Sequence, residues 1–147
     1  MAEQSVMEAA LHYLDRHDFT AQRLTEKLLK NGFPAETVAE CIDRLQGWGY
    51  LNDREYGIRQ VKALQIKLKS RCYVEEYLLH CGLERQLVTE LIESYYPETV
   101  EAAIAEKLIA RKFINKPASS TQKIQYLLRA GFLESTVRQC FSDGSST

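Results

Sequence analysis

The chain has 147 residues, a net charge of −1 and 45% apolar residues, the profile of a globular domain or a short repeat array. No run approaches the ~20 apolar residues of a membrane-spanning helix, and Met1-Ala2-Glu3-Gln4 is neither basic nor followed by the apolar stretch of a secretory signal. The cysteines, Cys41, Cys72, Cys81 and Cys140, form no C-x-x-C pair and no histidine stands at ligand spacing, so the expectation is a reduced, cytoplasmic protein with no metal and no cofactor.

In chain order, Ser5-Val6-Met7-Glu8 predicts the capped start of a first helix with Met7, Ala10, Leu11 and Leu14 inward, ending near His17-Asp18. Thr20 predicts the cap of a second helix, striped by Leu24, Leu28 and Leu29 and stopped by Gly32. Pro34 opens a third helix through Val38, Cys41, Ile42 and Leu45 to Gly47-Trp48-Gly49. Asn52 with Glu55 predicts the cap of a fourth, running to about Lys69. It is expected to bury Ile58, Val61, Leu64 and Leu68 and to carry Arg59, Lys62, Lys67 and Lys69 on its other face.

Helices near 73–80 and 84–95 follow, and Pro97 breaks the chain. The seventh, near 98–114, is expected to bury Val100, Ala103, Ile104 and Leu108 and to expose Lys107, Arg111 and Lys112. After the loop Asn115-Lys116-Pro117-Ala118-Ser119-Ser120, Ile124, Leu127 and Leu128 mark an eighth helix, and Val137, Cys140 and Phe141 a ninth. Residues 143–147 are expected to form a disordered tail.

One hexamer recurs through this series. Leu28-Leu29-Lys30-Asn31-Gly32-Phe33 returns as Leu78-Leu79-His80-Cys81-Gly82-Leu83 and as Leu127-Leu128-Arg129-Ala130-Gly131-Phe132, at a period of about 50 residues. Valine follows each glycine at the same offset: Val38, Val88 and Val137. The unit is a helix, a glycine stop and a helix. The predicted fold is all-α: three tandem three-helix repeats in an elongated, curved array, over residues 1–53, 54–97 and 98–142. Such an array offers a long face instead of a pocket.

Charge is graded along it. Residues 1–53 carry a net −4, residues 54–100 are balanced, and residues 101–147 carry +3. The gradient points to a directional partner surface and is weak for a dedicated nucleic-acid binder. An enzyme is not expected: the chain lacks a G-x-x-x-x-G-K-[ST] loop, a G-x-S-x-G elbow and an H-E-x-x-H pair. Adjacent carboxylates such as Glu75-Glu76 diverge on a helix and cannot share one reacting group.

The junction Gly49-Tyr50-Leu51-Asn52-Asp53, leading into Arg54-Glu55-Tyr56, resembles the signature of the RecX family, the bacterial regulators of the RecA recombinase. Leu24-x-x-Lys27-Leu28 before Gly32 and Lys123-Ile124-Gln125-Tyr126-Leu127-Leu128-x-x-Gly131-Phe132 are similar to its first and last repeats. The chain departs from the family at Lys69-Ser70-Arg71-Cys72-Tyr73, which keeps a basic turn and lacks its glycine.

The resemblance implies a modulator that binds along the groove of the RecA–DNA filament, contacts DNA weakly or through RecA, and acts as a monomer. It implies inhibition of ATP hydrolysis, strand exchange and coprotease activity. The alternative is a helical module that binds DNA directly, although the third helix carries only Arg44 as a base.

Two basic sets are the contact candidates. The first is Arg59, Lys62, Lys67, Lys69 and Arg71; the second is Lys107, Arg111, Lys112, Lys116, Lys123 and Arg129. Gly49, Tyr50, Leu51, Asn52, Asp53 and Tyr56 are expected to form the joint between the first two repeats, with Trp48 packed between modules.

Overall fold

Short hydroxyl and amide side chains start most of the helices. In a computed structural model describing residues 5–142, Ser5, Thr20, Asn52, Ser70 and Ser119 each accept a hydrogen bond from the backbone N–H three residues on, at 3.1–3.2 Å. The helices are α1 (Val6–Arg16), α2 (Ala21–Lys30), α3 (Ala35–Gly47), α4 (Asp53–Ile66), α5 (Arg71–His80), α6 (Arg85–Tyr95), α7 (Glu98–Lys112), α8 (Ser120–Arg129) and α9 (Glu134–Ser142). No strand occurs among the described residues. The expected tail at 143–147 lies outside them.

The recurring hexamer is one local structure built three times. Gly32, Gly82 and Gly131 have φ of +94°, +99° and +94°. Each is followed by an apolar residue whose N–H returns to the first leucine of the pair: Phe33 to Leu28 at 3.3 Å, Leu83 to Leu78 at 3.2 Å, Phe132 to Leu127 at 3.1 Å. That first leucine is buried in every copy, while Leu29 and Leu128 are exposed. Only half of the predicted Leu-Leu stripe therefore faces the core there.

The same closure ends α4 without a glycine. Lys69 N–H donates to Leu64 O at 3.0 Å and Leu68 N–H to Gln65 O at 2.9 Å, which places Leu68 at φ +60°. A branched side chain in this region costs roughly 1–2 kcal/mol. The helix accordingly stops at Ile66, short of the predicted Lys69.

The register of α7 also differs from expectation. Its buried residues are Glu101, Ala102, Ile104 and Ala105, while Ala103 is exposed and Val100 and Leu108 are half-buried. A fully buried carboxylate turns the helix: Glu101 faces inward because it has partners there. Its Oε2 accepts from Arg71 N–H at 2.6 Å and its Oε1 from the Thr136 hydroxyl.

α1, α2 and α3 pack on one another, as do α4, α5 and α6, and α7, α8 and α9. The cores do not divide the same way. Ala9, Ala10, Leu24, Leu28, Val38, Cys41, Ile42, Leu45 and Leu51 form one cluster within the first set. A second, continuous cluster runs through both later sets, from Val61 and Leu78 by way of Tyr96 to Ile104 and Val137.

The sets meet at two joints of one design. At the first, Thr20 Oγ1 donates to Cys81 O at 2.7 Å and Ala21 N–H donates to Asp53 Oδ1 at 2.9 Å. At the second, Ser70 lies against the Gly131 turn and Arg71 N–H donates to Glu101. In both, the start of a set's second helix abuts the glycine turn of the next set, and its first amide is held by a carboxylate from the next set's first helix.

Candidate functional site

The early stop of α4 and the turned register of α7 open a groove between these two helices. Its volume is about 730 Å³, and it is lined by Lys62, Gln65, Ile66, Leu68, Thr99, Val100, Ala103, Ile104 and Lys107. The floor is apolar because Leu68 folds back in its left-handed turn and Ala103 faces outward. Ile66 is 81% exposed at the lip. Lys62 and Lys107, assigned to separate basic sets by sequence, stand on this one groove. Both are exposed, and neither has an ion pair among the described residues.

The remaining basic candidates divide by what holds them. Lys67, at the C-cap of α4, is exposed. Lys69 is half-buried with its ammonium 4.8 Å from the Tyr73 ring centroid. Arg59 reaches back to Asp18 at 3.4 Å. Arg71 turns into the second joint, where its Nε donates to Tyr96 O at 2.7 Å and its guanidinium lies 4.0 Å from Glu98. Arg111 and Lys112 are exposed on the last turn of α7, with Lys112 5.5 Å from the Tyr126 ring. Lys116 and Arg129 are exposed, and Lys123 is half-buried on α8.

The junction residues also separate. Asn52 caps α4, Asp53 holds Ala21, and Leu51 is buried in the first core. The Tyr56 hydroxyl donates to Cys81 Sγ at 3.6 Å; burial and then that bond push its pKa above the ordinary tyrosine value. Gly49 closes α3 at φ +84°. Tyr50 and Trp48, expected inside the joint, are 63% and 60% exposed and stand outside it. The sequence reading missed Ile66 and Thr99, which carry no charge signal, and Glu101, whose charge marks it as a surface residue until its partners are seen. No helix among the described residues is long and apolar enough to cross a membrane.

Comparison with known proteins follows the same lines. The profile of the RecX first three-helix domain matches residues 7–45. The regulatory protein RecX of Trichlorobacter lovleyi is 26% identical over 140 residues, covering 90% of this chain and 91% of that protein. The regulatory protein RecX of Caldanaerobacter subterraneus subsp. tengcongensis is 28% identical over 124 residues, 84% of this chain, and this chain spans only 62% of its length. That of Levilactobacillus brevis is 32% identical over 129 residues, and this chain spans 48% of it. The crystal structure of RecX from Lactobacillus salivarius superposes with a TM-score of 0.83 over 97% of this chain and 96% of that one, at 18% identity, which speaks for the fold.

Proposed function

The chain belongs to the RecX family, and on that premise we propose that it regulates the RecA recombinase by binding along the groove of the RecA–DNA filament. The three helix sets engage successive protomers, and the outcome is suppression of ATP hydrolysis, strand exchange and coprotease activity. The observation that carries this reading is the groove between α4 and α7, where an apolar floor is rimmed by Lys62 and Lys107, neither of which is ion-paired among the described residues. Such a surface can take an apolar side chain of a protomer while its rim meets carboxylates or phosphates. Three weak contacts on one array reinforce one another through effective concentration.

The test is titration of the purified chain into RecA assembled on single-stranded DNA, following ATP hydrolysis at two salt concentrations. Loss of activity at or below one chain per protomer, weaker at the higher salt, supports the reading. The charge-reversed variant Lys62→Glu/Lys67→Glu/Lys107→Glu is expected to inhibit at least about tenfold less well while melting normally, since all three side chains are solvated. Lys69 and Arg71 are left intact in it because of their internal contacts. Unchanged ATP hydrolysis together with tight binding to bare DNA would favour a direct DNA-binding module.

A further inference from the structure

We propose that the Trp48–Tyr50 face of the first helix set is a second docking surface, and that its occupant is a basic protein segment, a loop or helix presenting arginine or lysine. This surface is separate from the α4–α7 groove and goes beyond the regulatory reading above.

Two large rings stand in solvent beside the first core. Trp48 is 60% and Tyr50 63% exposed, edge to face at a centroid distance of 6.4 Å. They are held there by backbone. Tyr50 and Leu51 N–H both donate to Leu45 O, at 2.9 and 3.2 Å, Gly49 takes the left-handed turn, and Leu51 is anchored in the core. Rings displayed on a fixed turn give up little conformational freedom on binding, and tryptophan and tyrosine dominate the energetics of protein interfaces.

The apolar surface continues from Tyr50 into a hollow of about 630 Å³ beside α1, where Leu11 and Leu14 meet the carboxylates of Glu8 and Asp15 and the His12 ring. A neighbouring hollow shares Leu14 and Tyr50 and adds Asp18, Glu55 and Arg59. Arg59 is paired with Asp18 at 3.4 Å. Tyr50 is therefore ringed by the carboxylates of Glu8, Asp15, Asp18 and Glu55, while the exposed Arg44 stands one helical turn before Trp48, within a segment of net charge −4 over residues 1–53. A phosphate backbone would be repelled here. A guanidinium or ammonium group can lie on the indole or phenol face while a flanking carboxylate pairs with it.

Trp48 is the sole tryptophan of the chain, so its fluorescence reports this surface alone. The full chain is titrated with a 12-residue arginine–leucine peptide, a glutamate–leucine peptide of the same length and a single-stranded oligonucleotide. The basic peptide is expected to shift and saturate the emission. Tyr50→Ser, which leaves every charge in place, and Asp15→Lys/Glu55→Lys, which leaves the rings in place, are each expected to weaken it at least about fivefold. Both variants change exposed side chains, and their far-ultraviolet circular dichroism should match the parent. No emission change with the basic peptide overturns the proposal. So does an equal response to the acidic peptide or the oligonucleotide, or undiminished binding by Tyr50→Ser.

Discussion

The backbone N–H of Arg71 donates to Glu101 Oε2 at 2.6 Å, so the first amide of α5 is held by a carboxylate that arrives from the next helix set. Glu101 is fully buried and also accepts from Thr136. Glu101→Ala would strand an amide and a hydroxyl away from water. The expected loss is about 2–4 kcal/mol in urea denaturation. Glu101→Gln can keep an oxygen toward Arg71 and donate to the Thr136 hydroxyl, so its loss is expected to stay below about 1.5 kcal/mol. Equal losses for the two variants would show that side-chain volume, and not hydrogen bonding, fills the joint.

Leu68 inverts the usual order of small substitutions. Leu68→Ala gives up packing and keeps the unfavourable φ of +60°, whereas Leu68→Gly gives up the same packing and relieves the backbone. Glycine is therefore expected to be the more stable of the two by about 1 kcal/mol, the reverse of their order inside a helix. Thermal melting of both variants checks the sign.

Gly32 and Gly82 share a backbone conformation and differ in surroundings. A Cβ at Gly32 meets nothing within 4 Å, while one at Gly82 lies 2.9 Å from Gln22 Cβ across the first joint. Gly32→Ala should cost about 1 kcal/mol from the turn alone. Gly82→Ala should cost at least about 1 kcal/mol more, because the two helix sets must shift apart. Urea midpoints at an unchanged slope read the difference.

Alkali should unfold the chain through two tyrosines. Burial, then the bond to Cys81, raises the pKa of Tyr56; burial, then the Glu101 carboxylate, raises that of Tyr96. Each folded pKa lies above the unfolded value of about 10, so the folded chain holds its protons longer. This contribution is complete below about pH 10 and is lost as pH rises through the folded values. Urea midpoints measured from pH 8.5 to 11 should fall, and fall less steeply in Tyr96→Phe. A flat profile would falsify the assignment.

Much of this architecture is written in local signals. Gly32, Gly82 and Gly131 announce their turns because only a residue without a side chain adopts that conformation cheaply, and Thr20 and Asn52 announce helix starts by the reach of a short side chain. What escaped depends on contacts distant in sequence. Leu68 carries no turn signal, yet the core that half-buries it holds it in one. Glu101 reads as solvent-facing until Thr136 and Arg71 are brought to it. Lys62 and Lys107 belong to one groove only because α4 and α7 line the same hollow, and no periodicity within either helix encodes that placement.

The two joints leave α2, α5 and α8 in file. The start of α2 meets the terminal carbonyls of α5 through Thr20 and Arg23, and the start of α5 abuts the turn that ends α8. At the first joint the partial positive charge of the α2 start therefore meets the partial negative charge of the α5 end, and the α5 start stands in the same relation to the turn that follows α8. Side-chain charge is graded along the same series, from −4 over residues 1–53 to +3 over residues 101–147. A gradient of this kind favours one orientation of a charged partner over the reverse before the two touch.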